Sequence, residues 1–85
     1  MRFMVEGTPK YALTDAHLAL LPAETARGQE LDGQGLRHAL YVAADVSKAW
    51  QIFHADAVED VQRALAFLPL YKVTTYTITP LADDR

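Results

Sequence analysis

Cysteine is absent from this 85-residue chain, which excludes a disulfide, a thiolate nucleophile and a cysteine-held metal. Basic residues are few and scattered, eight Lys and Arg against eleven Asp and Glu, for a formal net charge of -3. Nucleic-acid binding draws its affinity from clustered cations that displace counterions from phosphates, so that class is set aside. No apolar run approaches the roughly 20 residues needed to cross a bilayer. No basic stretch leads an apolar one into a cleavage site either, so the expected location is cytoplasmic. A glycine-rich phosphate loop, a nucleophile elbow and a Ser-His-Asp arrangement are all missing, and ATP or nicotinamide chemistry is not indicated. Without repeats, low-complexity tracts or linkers, residues 1–85 make one domain, with 82–85 expected to form a short mobile tail.

What is present is a core-forming composition, 51% apolar, in a chain near the lower size limit for folding alone. A domain this small gains much from oligomerisation. Residues 2–7 alternate as a strand, with Phe3 and Val5 on one side and Arg2, Met4 and Glu6 on the other. From Thr14 to about Asp32 the composition is helical, with Thr14 or Asp15 as N-cap and Leu18, Leu21, Thr25, Gly28 and Leu31 as the buried stripe. Pro22 requires either a kink or a short turn before a helix that begins near it. Gly28 costs about 1 kcal/mol against alanine in a helix, so a close approach there is expected. Gly33-Gln34-Gly35 stops the helix.

Two strands follow, Leu36 to Val42 and Lys48 to His54, joined by a turn at residues 44–47. Asp56 and Glu59 are spaced as a capping box, and Val58, Val61, Leu65 and Leu68 repeat at helical intervals. Pro69 ends that helix, and Val73 to Leu81 alternates as a last strand. The order βαββαβ predicts an α+β, ferredoxin-like fold: a four-stranded antiparallel sheet in the order 4-1-3-2 with two helices on one face. Phe3, Val5, Leu40, Val42, Trp50, Ile52, Tyr76 and Ile78 are expected to face the helices. Arg2, Met4, Glu6, Arg37, Ala39, Tyr41, Gln51, Phe53, Thr75 and Thr77 are assigned to the open face. That open face is too apolar to be left to solvent.

Several features together resemble the muconolactone delta-isomerase family. They are Phe3-x-Val5, Lys10 and a polar helix, Gly35 opening the second strand, Phe53 closing the third, and Val58-Glu59. The most specific is Leu68-Pro69-Leu70-Tyr71 before an alternating strand. The resemblance implies a dimeric α/β barrel, two sheets packed open face to open face, with the chain itself as partner in a homodimer or larger ring. It also implies a cofactor-free isomerase that shifts a double bond in a small unsaturated lactone. Such chemistry needs a general base and donors for the enolate oxygen. The sequence departs from the family pattern on the first strand, where Met4 and Glu6 replace a basic face. It departs again on the second, where Arg37-His38 stands one position earlier than the family's Arg-His pair.

On this basis Glu6 is the candidate base, enclosed by a dimer so that desolvation raises its pKa. Arg37, Tyr41 and Gln51 are the candidate substrate-binding groups, suited to an acidic or lactone-like cyclic metabolite. The structural alternative is an ion pair of Glu6 with Arg37 or Arg2, in a non-catalytic ligand-binding or accessory subunit whose open face serves assembly. His17, His38 and His54 carry no ligand-spacing motif, and no metal is expected. Trp50, Phe67 and Tyr76 are expected in the core.

Overall fold

The computed structural model describes residues 1–82; of the expected tail, residues 83–85 lie outside the described residues. The chain runs β1 (Arg2–Pro9), α1 (Asp15–Leu18), α2 (Leu21–Gly33), β2 (Arg37–Val42), β3 (Ala49–His54), α3 (Val58–Ala66), one 3-10 turn (Tyr71–Val73) and β4 (Thr74–Pro80). The four strands pair antiparallel in the order β2-β3-β1-β4, which is the expected 4-1-3-2 read from the other edge.

Local chemistry explains where the helices start and stop. Thr14 accepts the His17 backbone N–H at 3.3 Å, and the His17 ring accepts the Thr14 N–H at 3.1 Å, a reciprocal cap with histidine in the usual Glu position. The helical segment then breaks at Leu20, and α2 restarts with Pro22 in its first turn, where a missing N–H removes no intrahelical bond. At the far end Gly35 takes φ +77. The Leu36 N–H reaches back to the Leu31 carbonyl at 3.1 Å, the six-to-one bond of a Schellman stop. The expected capping box at Asp56 does not form. Ala57 is the N-cap and no side chain caps the helix, so Glu59 and Asp60 favour the helix start through the dipole alone.

The core is Phe3, Val5, Leu31, Phe53, Val61, Ala64, Leu65 and Leu68, so α3 and the last turns of α2 cover one end of the sheet. Inward-facing residues taper along the central strands, through the pairs Phe3–Phe53, Val5–Gln51 and Gly7–Ala49. Large side chains fill the first end and small ones leave space at the second.

Two expected face assignments are overturned. In β3 it is Gln51 and Phe53 that are buried towards the helices, and Trp50 and Ile52 share the open face with Met4 and Glu6. Register decides this: Phe53 lies opposite Phe3, and a one-residue phase change moves a whole strand's side chains across the sheet. In β2 the pairing slips between Arg37 and Ala39. This bulge puts Arg37 on the helix side opposite Phe53 while Ala39 and Tyr41 remain on the open side. Tyr76 and Ile78 pack on the core as expected. Leu40 and Val42 share the helix-side face but stay exposed on the edge strand, and Phe67 is exposed beneath the Arg27 guanidinium, 4.6 Å from its ring centre.

Candidate functional site

The taper leaves a cavity of about 260 Å³ between the sheet and α1–α2. Its floor is Gly7, Ala49, Gln51 and Tyr76; its roof is Leu18, Leu21 and Glu24; Val42 and Val46 stand at the hairpin side, and Leu70 closes the far wall. Gly7 gives room here. A Cβ on it would meet the Tyr76 ring at 3.1 Å, so glycine lets the tyrosine lie across the strand.

Glu24 is the carboxylate of this largely apolar space, whose lining also includes Lys48 and Tyr76. It sits three residues after Leu21 and four before Gly28, which aims it into the gap. Its Oε1 accepts the Leu70 backbone N–H at 2.9 Å, a bond supplied by the Leu68-Pro69-Leu70 segment that ends α3. Burial raises its pKa above the model-compound 4.5, partly offset by the Leu70 N–H and the Arg37 charge. Tyr76 is pushed up to about 12, chiefly by burial and then by the Glu24 charge, so it stays a neutral phenol across the physiological range.

Gln51 is 5% exposed and Arg37 anchors it. The Arg37 Nη1 donates to Gln51 Oε1 at 3.2 Å, while Nε and Nη2 donate to the two Asp32 oxygens at 2.7 and 3.2 Å. That pairing holds the Asp32 carboxyl below its usual range. Buried Gly28 opens the space, since a Cβ there would lie 2.6 Å from Arg37 Nη2. The close approach expected at Gly28 is therefore made by a guanidinium arriving from the sheet.

The four sequence candidates divide between two faces. Arg37 and Gln51 belong to the helix side, contrary to the open-face expectation. Glu6 and Tyr41 are on the open side. Glu6 is 42% exposed and pairs at 3.1 Å with Lys48, which also lines the cavity, and not with Arg37, which faces away. Tyr41 lies opposite Trp50 and is well exposed. Glu24 and Tyr76 were not singled out as site residues. A carboxylate at the i, i+3, i+7, i+10 positions Leu21, Glu24, Gly28 and Leu31 was the available signal, obscured by assigning Thr25 to the stripe. His17 serves its cap, and His38 meets His54 edge-on at 5.3 Å on the open side, its Nε2 3.0 Å from the Gly35 carbonyl oxygen. Among the described residues no group of three potential metal ligands forms, and no helix is long and apolar enough to cross a membrane.

Residues 1–84 match the family model described as muconolactone delta-isomerase. The chain belongs to the muconolactone delta-isomerase family. Its fold matches the crystal structure of muconolactone isomerase at 3.3 Å resolution with a TM-score of 0.81, covering all of both chains at 24% identity. A crystal structure of a protein from Agrobacterium tumefaciens aligns over 96% of this chain and 94% of its own, with 15% identity and a TM-score of 0.47. Among proteins with curated descriptions none matches. Membership agrees with the resemblance read from the sequence, and the family is one of isomerases.

Proposed function

We propose that this protein is a cofactor-independent isomerase that moves a proton between carbons of a small cyclic carbonyl compound of the lactone class, with Glu24 as the shuttling base. The observation that carries this reading is the half-buried Glu24 carboxylate, the acidic side chain of a largely apolar cavity, with its pKa raised by desolvation. One oxygen is tied to the Leu70 N–H, which leaves the other to take the proton. Abstraction from a carbon next to the unsaturated carbonyl system converts the C–H electron pair into an enolate. Return of the same proton from the Glu24 carboxylic acid to another carbon completes a double-bond shift with nothing gained or lost. A base with a pKa raised towards the working pH serves both halves of such a transfer.

Glu6 is the weaker candidate for the base because it is held in an ion pair with Lys48 at 3.1 Å. The open face suits a second role. Met4, Trp50 and Ile52 are only half-covered, and Tyr41 projects beside them, an apolar surface that packing against a second copy would bury. Self-association through this face is part of the proposal.

The test is proton exchange at carbon. Small unsaturated lactones are incubated with the protein in D2O and followed by proton NMR for site-specific loss of signal and double-bond migration. Wild-type protein is expected to catalyse both, and the Glu24→Gln variant neither; exchange that survives in Glu24→Gln removes Glu24 from the mechanism.

A further inference from the structure

We propose that the Gln51 amide is the hydrogen-bond donor to the carbonyl oxygen that becomes the enolate, and that Arg37 is the positioning residue that aims it. This rests on the reading above that the cavity holds a carbonyl compound beside Glu24. A side-chain amide has two ends, and which one faces a cavity is decided by its other neighbour. Here the neighbour is a guanidinium, which can only donate. The Arg37 contact at 3.2 Å therefore claims the Gln51 oxygen and turns the NH2 end to the other side, where Gln51 lines the cavity.

The guanidinium has little freedom to release it. Its side chain is 9% exposed, it is forked onto Asp32, and it lies against the bare Gly28 backbone, where any Cβ would collide. Asp32 partly balances the Arg37 charge, so the arrangement delivers an oriented dipole to the cavity with a residual positive charge that Glu24 also feels. A donor fixed before the reaction, aimed at the oxygen where negative charge develops, stabilises the transition state without reorganising. It also explains why a buried amide stands between Val5 and Leu40 in an otherwise apolar row.

Gln51→Glu separates this role from a structural one. The two side chains have the same shape, and a carboxylate gives Arg37 a stronger, charge-assisted partner. A merely structural Gln51 would then leave folding and turnover intact. A donor would be lost: kcat is expected to fall by about 100-fold, the size typical of removing one oxyanion donor, with the chemical-denaturation midpoint unchanged or raised. The new negative charge beside Glu24 is also expected to shift the acid limb of the pH–rate profile upward. Arg37→Met supplies the second variant. It frees the amide to turn and is expected to lower kcat with little change in KM.

A third readout needs no turnover. In wild-type protein titrated with saturated γ-butyrolactone, the Gln51 side-chain amide proton is expected to move downfield, the mark of a new hydrogen bond. Absence of that shift, or full turnover in folded Gln51→Glu, overturns the proposal. Loss of the Glu24 requirement with the Gln51 shift intact would instead overturn the assignment of the base and leave the donor standing.

Discussion

Gly28→Ala is the most informative single perturbation, because its sign reverses with the identity of residue 37. In an ordinary helix interior the change stabilises by about 1 kcal/mol, since alanine forgoes less backbone entropy. At this position the new Cβ would lie 2.6–2.9 Å from three atoms of the Arg37 guanidinium, so the guanidinium has to leave. Its departure strips Gln51 of a charged donor, a loss of about 1.5–3 kcal/mol for a buried group. It also breaks the pair with Asp32, which is half exposed and worth roughly 0.5 kcal/mol. The net expectation is destabilisation by about 1–2 kcal/mol, a fall in Tm of several degrees for a domain of this size. With Arg37→Ala already in place the space is vacant, and the same Gly28→Ala change should stabilise by about 1 kcal/mol. Urea denaturation of the wild type, both single variants and the double variant measures the coupling, expected at about 2–3 kcal/mol. A Gly28→Ala variant that is stabilised in the wild-type background would show that the guanidinium is not locked, and the positioning role of Arg37 would go with it.

Three further outcomes are expected. Because Glu24 binds its proton more tightly folded than unfolded, stability contributed by that group is present below about pH 4.5 and is lost as pH rises through the folded pKa; Glu24→Gln should lack this component in urea midpoints taken from pH 4 to 8, and an identical pH dependence in both proteins would contradict it. Val46 is β-branched and exposed yet holds φ +55 in the β2–β3 turn, so Val46→Asn should stabilise by about 1 kcal/mol in thermal unfolding; a loss would mean that the valine contributes more at the cavity mouth than its backbone costs. If the open face is the self-association surface, Ile52→Lys should sediment as single subunits at concentrations where the wild type does not, with unchanged circular dichroism, and equal sedimentation coefficients would rule out that face.

The fold was legible because its signals are local. Alternation in β1 and β4, the Gly35 stop and the Val61-Leu65-Leu68 stripe each set an element, and right-handed crossovers then leave few sheet orders. The site was harder to read, for reasons visible in particular residues. Trp50-Gln51-Ile52-Phe53 alternates equally well in either phase, and the larger apolar pair Trp50 and Ile52 suggested the inward side. Strand pairing with Phe3 and Val5 chose the other phase, at the cost of burying an amide whose oxygen Arg37 satisfies. The slip at His38 is one residue long and carries no glycine to mark it. It alone separates Arg37 from Tyr41, which strict alternation puts together. Glu24 needed the exact phase of α2, which a helix interrupted at Leu20 does not reveal until its start at Pro22 is known.

The slip in β2 has a consequence for how the molecule can meet others. β2 is an outer strand, and with Leu40, Tyr41 and Val42 exposed it would otherwise offer a template on which a foreign segment could zip up, copy after copy, into a fibre. The irregular spacing at His38 interrupts that ladder of free amides and carbonyls partway along. Growth along this margin is therefore discouraged, which leaves the broad side of the sheet free for the self-association proposed above.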